Sequence, residues 1–474
     1  MAGLFHILNV GAESLYNSKQ GVDTTGHNIA NAQTEGYSRQ RVNVKARLPF
    51  LSRNLLIGDG AYTQSITRSH DQFIENQINR TSQGAGANSS KNSALKSLEA
   101  IYNPQLATSV SEEMTNFFNA LQDLSNFPEE LSVRTNVRET AKSLAAAFKR
   151  VDDSLERNRL GFNDNVAQET KEISDKLNTI ARLNIRIFEE EVTPGADAND
   201  LRDERDRVLR DLSSKMRISY YEDQNGMPVI RGPKDTLLVE AGRSAQVEVR
   251  RSVDNDGLFD VVVYDFEGRS ARDITHSMES GTLGGLMEVR DEIVPDLLRK
   301  NNDMAAELVE SVNQVHQEAF GIKEYKDMKQ RNFFEPVSDK RFAASSMQLS
   351  DAVSQSTDAI SVASVANAPG DNVLANELLR LKEKRIMDGG NSTFAEFYAN
   401  YVGVLGVETA RSDHIKAADD IVLGDLTARR EAVAGVSLDE EAINMLKWQA
   451  NFTASSKVIT TVDEMIDTVL SLKR

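Results

Sequence analysis

The chain has 474 residues, 40% of them hydrophobic and 27% charged, with a formal net charge of −17. Such a composition suits a globular protein of roughly two to four domains, and an acidic chain without a clustered Lys/Arg stretch is a poor binder of nucleic-acid phosphates. There is no cysteine, which excludes disulfides, thiolate chemistry, Cys-based zinc sites and iron–sulfur clusters.

The first residues, MAGLFHILNV, hold neither a basic leader nor a sustained apolar stretch, so a cleaved secretory signal is not expected. No segment reaches the ~18 uninterrupted apolar residues of a membrane span. The start reads as a helix. Met1, Leu8, Leu15, Val22 and Ile29 recur at heptad spacing, with Leu4, Gly11, Ser18, Thr25 and Ala32 at the second seam position. Small residues on that second seam let a partner helix approach closely. Glu13, Lys19 and Asp23 are the few charges, so the helix calls for cover on more than one side.

Residues 31–68 read as irregular or extended, punctuated by Gly36, Pro49, Gly58 and Gly60, with Arg39, Arg41, Lys45 and Arg47 as a small basic cluster. Helical patterning runs from about 70 to 127, stops near Pro128, and resumes to about Glu191. Leu155, Phe162, Val166, Ile173, Leu177, Ile180 and Ile187 form one stripe of a long helix. After a break at Pro194-Gly195, Asn199 or Asp200 is placed to cap a short charged helix, LRDERDRVLRDLS. Its mixed charges suit i,i+4 pairing on a solvated face, and Glu189 to Glu191 read as a solvated helix end.

The texture changes near 216. ISYY, Asn225-Gly226 and MPVI read as strand, tight turn, strand, and QVEVRRSV and LFDVVVYDF flank a second turn at Asp254-Asn255-Asp256-Gly257. Helix returns over 283–320, with Leu286, Ile293, Leu297, Met304, Leu308 and Val315 on one face. Residues 321–370 are mixed, and long helical patterns then run to about 433, one of them opened by Thr393 and Glu396 at capping-box spacing.

Gly435 breaks that helix, and Ser437 with Glu440 opens the last one. Its heptad positions hold Leu438, Met445, Phe452, Ile459 and Ile466. The companion positions hold Glu441, Trp448, Ser455, Val462 and Val469. The predicted fold is mainly α with an inserted small β domain, in a nested layout. Residues 1–37 and 437–474 form a terminal coiled-coil domain, 38–215 and 285–436 a long-helix domain, and 216–284 the β-rich insert. Terminal helices with heptad seams are expected to pair with each other and with neighbouring subunits, and to gain order mainly in the assembly.

The segment HNIANAQTEGYSRQRV at 27–42 resembles the signature of the bacterial flagellar rod, hook and hook-associated axial proteins. Within it, Gly36-Tyr37-Ser38-Arg39-Gln40 is similar to the hook-associated branch at the junction of hook and filament, where hook and rod proteins usually carry Gly-Phe. ANDLRDERD at 198–206, GTLGGLMEVRDEIVP at 281–295 and the stretch from Gly435 to Leu470 agree with the family in the same order. Gln33 and Glu35 replace the frequent Asn and Pro, and Trp448 and Phe452 stand where Tyr is common.

The resemblance implies a non-enzymatic structural subunit in a tube of packed terminal helices, exported through the flagellum's own channel to the cell exterior without a cleaved leader. It implies several partners: further copies of the chain, the hook protein on one side, a second hook-associated junction protein on the other, an export chaperone on the C-terminal region, and the flagellar export apparatus. No cofactor is implied. A hook or rod subunit is the nearest alternative, and an enzyme carried in the β insert is the alternative of another class.

The residues assigned to assembly are Leu4, Leu8, Leu15, Val22 and Ile29 on the first helix, and Leu438, Met445, Trp448, Phe452, Ile459, Val462, Ile466 and Val469 on the last. Asn28, Asn31, Gly36, Tyr37, Arg39 and Gln40 are assigned as a joint contacting neighbours. The local alternative makes Asn a helix C-cap, Gly a turn former and Tyr a packing anchor. The histidines His6, His27, His70, His276, His316 and His414 lack metal-ligand spacing, and Asp254 to Asp256 lack the EF-hand pattern and its terminal Glu. No P-loop, dinucleotide fingerprint or GxSxG occurs.

Overall fold

The computed structural model describes residues 2–52, 55–103, 108–192, 196–224 and 226–471. Met1 of the first seam, the break at Pro194-Gly195 and Asn225 of the first tight turn lie outside them. Helix α1 (Ala2–Ala30) leads into strands β1 (Gln40–Ala46), β2 (Phe50–Ser52), β3 (Leu55–Ile57) and β4 (Ala61–Arg68). These pair antiparallel as one nested hairpin, β1 with β4 and β2 with β3, so the segment read as irregular or extended is an ordered arm.

Helices α2 (Gln72–Ile101), α3 (Val110–Asn126), α4 (Leu131–Glu191) and α5 (Asn199–Lys215) follow. The predicted stripe of α4, from Leu155 to Ile187, is buried throughout. At the helix start the fully buried Arg134 donates to the carbonyls of Pro128 at 2.6 Å, Ile360 at 2.8 Å and Thr357 at 3.2 Å, fastening α4 to the later mixed segment. Burial among carbonyls pushes this guanidinium down to about 10.

The β region holds two antiparallel sheets. One has the order β5-β6-β7-β8, built from β5 (Ser219–Glu222), β6 (Pro228–Arg231), β7 (Leu237–Glu240) and β8 (Arg243–Ser244). The other has the order β11-β10-β9, from β9 (Gln246–Arg251), β10 (Phe259–Tyr264) and β11 (Ala271–Asp273). Val247 faces Val263 and Val249 faces Val261. Period-2 alternation turns these valines toward the core while Gln246 and Glu248 face solvent. In the turn between them Asp256 pairs with Arg159 of α4 at 3.0 Å.

The return begins with α6 (Gly281–Glu288), a single π turn over Val289–Ile293, and α7 (Val294–Gln317). The π turn carries the buried Arg290. Arg290 donates to Asn163 Oδ1 at 3.0 Å and the Phe259 carbonyl at 2.8 Å, and grips Asp291 through both carboxylate oxygens. A Cβ on Gly285 would fall 2.2 Å from the Ala87 carbonyl oxygen, so α6 crosses α2 almost backbone to backbone. Short helices α8 (Ala343–Ser346), α9 (Asp351–Gln355) and α10 (Val373–Arg380) lead to α11 (Phe394–Ala434), which runs back along α2. The capping box of Thr393 and Glu396 opens α11. Helix α12 (Leu438–Ser471) closes the chain.

One continuous hydrophobic core runs from Ala94 on α2 through α4, the sheets and α7 to Leu405 on α11. Among the described residues it includes none from α1 or α12.

The sequence of α5 predicted pairings along its own solvated face; the structure corrects this. Arg202 reaches Glu191, Asp203 and Asp206 reach Arg68, and Arg210 reaches Glu75. These partners lie on other elements and are largely shielded from water. Glu191 is thus a clamped helix end instead of a solvated one, its carboxylate held below the usual range by Arg202 and the Ala198 N–H against the opposing effect of burial. Neither Asn199 nor Asp200 caps α5, whose N-cap is Ala198. Asn199 donates to the Ile66 carbonyl, and Asp200 accepts from Gln40.

Candidate assembly joint and terminal helix pair

Helices α1 and α12 pack antiparallel. The order of contacts follows from small residues on α1 meeting larger ones on α12. A Cβ on Gly11 would lie 2.9 Å from Ile459, and one on Gly21 would lie 2.2 Å from the Trp448 indole. Ser14 and Ser455 share a 2.6 Å hydrogen bond between these two points. Gly11, Ser18, Gly21 and Thr25 are buried, as are Ser455 and Val462 opposite them. Close approach is possible because α1 offers almost no side-chain volume on this face.

The residues assigned to assembly divide accordingly. Leu4, Leu8, Leu15, Val22 and Ile29 are half-buried, as are Met445, Trp448, Ile459 and Ile466, while Leu438, Phe452 and Val469 are exposed. Further apolar side chains stand exposed on the pair: Phe5, Ile7, Ile443, Leu446, Val458 and Met465.

The hairpin arm covers a second face of α1. Asn17 receives the Thr63 N–H at 2.8 Å and donates to the Ala61 carbonyl at 2.7 Å. Arg47 pairs with Glu13 at 2.6 Å.

At the base of the pair the 27–42 segment folds into a tight polar node. Asn28, 1% exposed, uses its whole amide. Its Oδ1 accepts from the Tyr37 hydroxyl at 2.8 Å and the Gln40 N–H at 2.9 Å. Its Nδ2 donates to the Gln40 carbonyl at 2.9 Å and Glu441 at 3.0 Å. A side chain satisfied this fully fixes both the strand that begins at Gln40 and the start of α12.

Tyr37 packs edge-on against His27. Burial, with the carboxylates of Asp200, Asp203 and Glu441 around it, pushes its hydroxyl far above the ordinary tyrosine value, so it stays a donor. Gly36 takes φ +82, a left-handed conformation suited to glycine. Its carbonyl accepts from Arg430 of α11 at 2.9 Å. Arg39 pairs with Glu441 and Glu440 of α12, and its N–H donates to the Ala434 carbonyl at 2.8 Å.

Two stretches read separately in the sequence therefore meet. The Ser38 N–H donates to Asp203 at 2.6 Å, and Gln40 donates to Asp200 at 2.7 Å. Asp203 also takes Arg68 at 2.6 Å, and the carboxylates of Asp206 and Asp203 hold that guanidinium above its usual value against the effect of burial. Glu75 on α2 accepts from both Arg430 and Arg210.

Asn28, Gly36, Tyr37, Arg39 and Gln40 are thus brought together. Asn31 stays local, bonded to His27 and Thr34. Glu441, Asp203, Arg430, Glu75 and Arg68 were missed in the sequence reading. Glu441 carried a signal, as a carboxylate on an otherwise mostly apolar heptad position. The carboxylates of Glu441, Asp203 and Glu75 are each occupied by an arginine together with an amide, a backbone N–H or a second arginine, which makes the arrangement a clamp. Among the described residues no group of His, Asp or Glu stands as a candidate metal cluster.

Two family models match separate parts of the chain. Residues 95–334 match the family described as the flagellar hook-associated protein FlgK helical domain, and residues 432–472 match the flagellar basal body rod FlgEFG protein C-terminal family. The flagellar hook-associated protein 1 of Bacillus subtilis (strain 168) is 26% identical over 507 residues, covering 99% of each chain. That of Salmonella typhimurium (strain LT2) is 21% identical, covering 98% of this chain and 100% of the relative. The solved structure of the flagellar hook junction protein FlgK from Burkholderia pseudomallei shares the fold with a TM-score of 0.67 at 14% identity, over 76% of this chain and 100% of that one.

Proposed function

This chain belongs to the flagellar hook-associated protein FlgK family, and from that premise we propose that it is a structural subunit of the bacterial flagellum forming the junction between hook and filament. The observation that carries the mechanism is the separation of cores. Among the described residues, helices α1 and α12 contribute none to the hydrophobic core of the body, yet they expose a long series of apolar side chains. Apolar side chains exposed in series on one helix pair point to an interaction surface. Neighbouring copies supply the missing cover, and the node around Asn28 sets the angle at which the pair leaves the body.

Contacts between unlike faces of identical subunits extend into helical assemblies. In this reading the subunit meets the hook protein on one side and a second hook-associated protein on the other. Before assembly an export chaperone covers α12, whose exposed Ile443, Leu446 and Met465 offer it an apolar face. The chain leaves through the flagellar export apparatus, works outside the cell and adds no chemistry. The match at 432–472 is to rod proteins, so α12 is the part common to axial subunits, and the 95–334 match separates this chain from a rod or hook subunit.

The test is deletion of residues 438–474. The truncated chain should stay folded in its body and fail to restore filaments to a strain lacking its own junction protein. Restored filaments and swimming would sink the proposal.

A further inference from the structure

Strands β2 and β3 of the hairpin arm carry exposed leucines. Leu51 and Leu56 face each other across β2 and β3 and are 67% and 72% exposed, and the nearby Leu48 is 90% exposed. Cross-strand leucines on one face normally pack against something.

The arm is also a basic island in an acidic chain. Residues 40–68 carry Arg41, Lys45, Arg47, Arg53 and Arg68 against Asp59, a net +4. Arg47 is spent on Glu13 and Arg68 on Asp203, whereas Arg41 and Lys45 are exposed along β1. Residues 438–471 carry six acids against Lys447 and Lys457, a net −4. The last turns of α12 present the exposed apolar Val458, Met465 and Val469, with the exposed Asp463, Glu464 and Asp467 in the same stretch.

We propose that the arm of one copy docks on the outer side of α12 of a second copy, with Leu51 and Leu56 against Met465 and Val469 and the arm's cations near Asp463, Glu464 and Asp467. This rests on the assembly reading above and names its contact surfaces. An arm meeting another arm would oppose like charges, so the contact joins unlike surfaces and propagates from copy to copy.

The absence of cysteine makes the test direct. Two full-length chains, L51C and M465C, are expressed together in cells lacking the native junction protein and mildly oxidised. A disulfide-linked dimer is expected only when both chains are present. A third chain, L51S/L56S, should melt as the unsubstituted protein does, since both side chains are exposed in the free subunit. It should lower the fraction of filament-bearing cells roughly tenfold or more, since covering a leucine is worth at least about tenfold in an association constant. Wild-type filament formation by L51S/L56S, or normal assembly of the paired cysteine chains without a dimer, overturns the docking. Failure of the unsubstituted chain to build junctions overturns the assembly reading itself, and the docking with it.

Discussion

Arg39 and Glu441 are 402 residues apart in sequence, yet Arg39 Nε lies 2.7 Å and Nη2 2.6 Å from one oxygen of the Glu441 carboxylate. Glu441 is 2% exposed, and its other oxygen takes Asn28. A charge buried this deeply is stable only while its partner stays.

Arg39→Met should therefore cost about 3 kcal/mol, expressed locally. The body retains its own core, so its melting should change little, while amides at the start of α12 exchange faster. Equal loss of protection throughout α2, α4 and α7 would show that the node stabilises the whole fold instead.

Gly21→Val places a branched side chain where the Trp448 indole now lies. The helices must part, at a cost of about 1–3 kcal/mol for overpacking. Trp448 is the single tryptophan of the chain, so its fluorescence reports this seam alone. The emission should shift to longer wavelength in the variant. An unshifted spectrum would mean the two helices can slide past the obstruction.

A pair of buried titrating groups should impose opposite pH dependences. His316 is fully buried, bonded through Nδ1 to the Arg331 carbonyl at 2.7 Å and accepting the Ser361 N–H on Nε2 at 2.8 Å. Burial pushes it down to about 4. The unfolded chain takes up this proton near pH 6.5 and the folded one does not, so its contribution is complete above 6.5 and falls as pH drops toward 4. Asp152 is pushed up to about 6 by burial and by Glu156 and Asp153, against the opposing hydrogen bond from Asn302. The folded state protonates it first, so stability rises as pH falls from 6 toward 3.8.

The two slopes, each up to about 1.4 kcal/mol per pH unit, largely cancel. Asp152→Asn should unmask a loss of stability on acidification, and His316→Gln a gain. Denaturant melts at pH 7 and 5 decide this; parallel curves for both variants would refute the assignment.

Glu75→Gln should weaken the hold on Arg430 and Arg210 together. Arg430 also carries the Gly36 carbonyl, so the effect should reach the turn that sets the terminal pair. A loss of about 2–4 kcal/mol is expected, with α2 and α11 separating at this end. Arg430→Ala combined with Glu75→Gln should cost clearly less than the sum of the two single losses, because they share one interaction.

Long periodic elements were legible in the sequence because burial imposes their period. The α4 stripe, the facing valines of β9 and β10, the Thr393–Glu396 cap and the start of α12 all carry local signals of that kind. The node was only half legible. Asn28, Gly36, Tyr37 and Arg39 were picked out within one short segment, but Asp203, which holds the Ser38 N–H, and Arg430 and Glu75, which hold the Gly36 turn, sit in stretches whose local pattern reads as ordinary charged helix. The same Asp203 side chain would look solvated on any isolated helix. Only the fold brings Arg68 and Ser38 to it, and nothing in the spacing of α5 encodes that meeting. The hairpin arm reads in sequence as irregular or extended without its pairing, since its inner strands β2 and β3 are three residues each, too short to show alternation.

Helix α4 runs unbroken for 61 residues, about 90 Å at the usual rise. Its far end is tied by Arg134 to the 357–360 segment, and its near end by Glu191 to Arg202, one residue from the Asp203 that holds Ser38. A push or twist entering at the base of the terminal pair thus passes through two short polar links into a single rod. A helix of that length gives the body one continuous element from the 357–360 segment to the foot of the terminal pair.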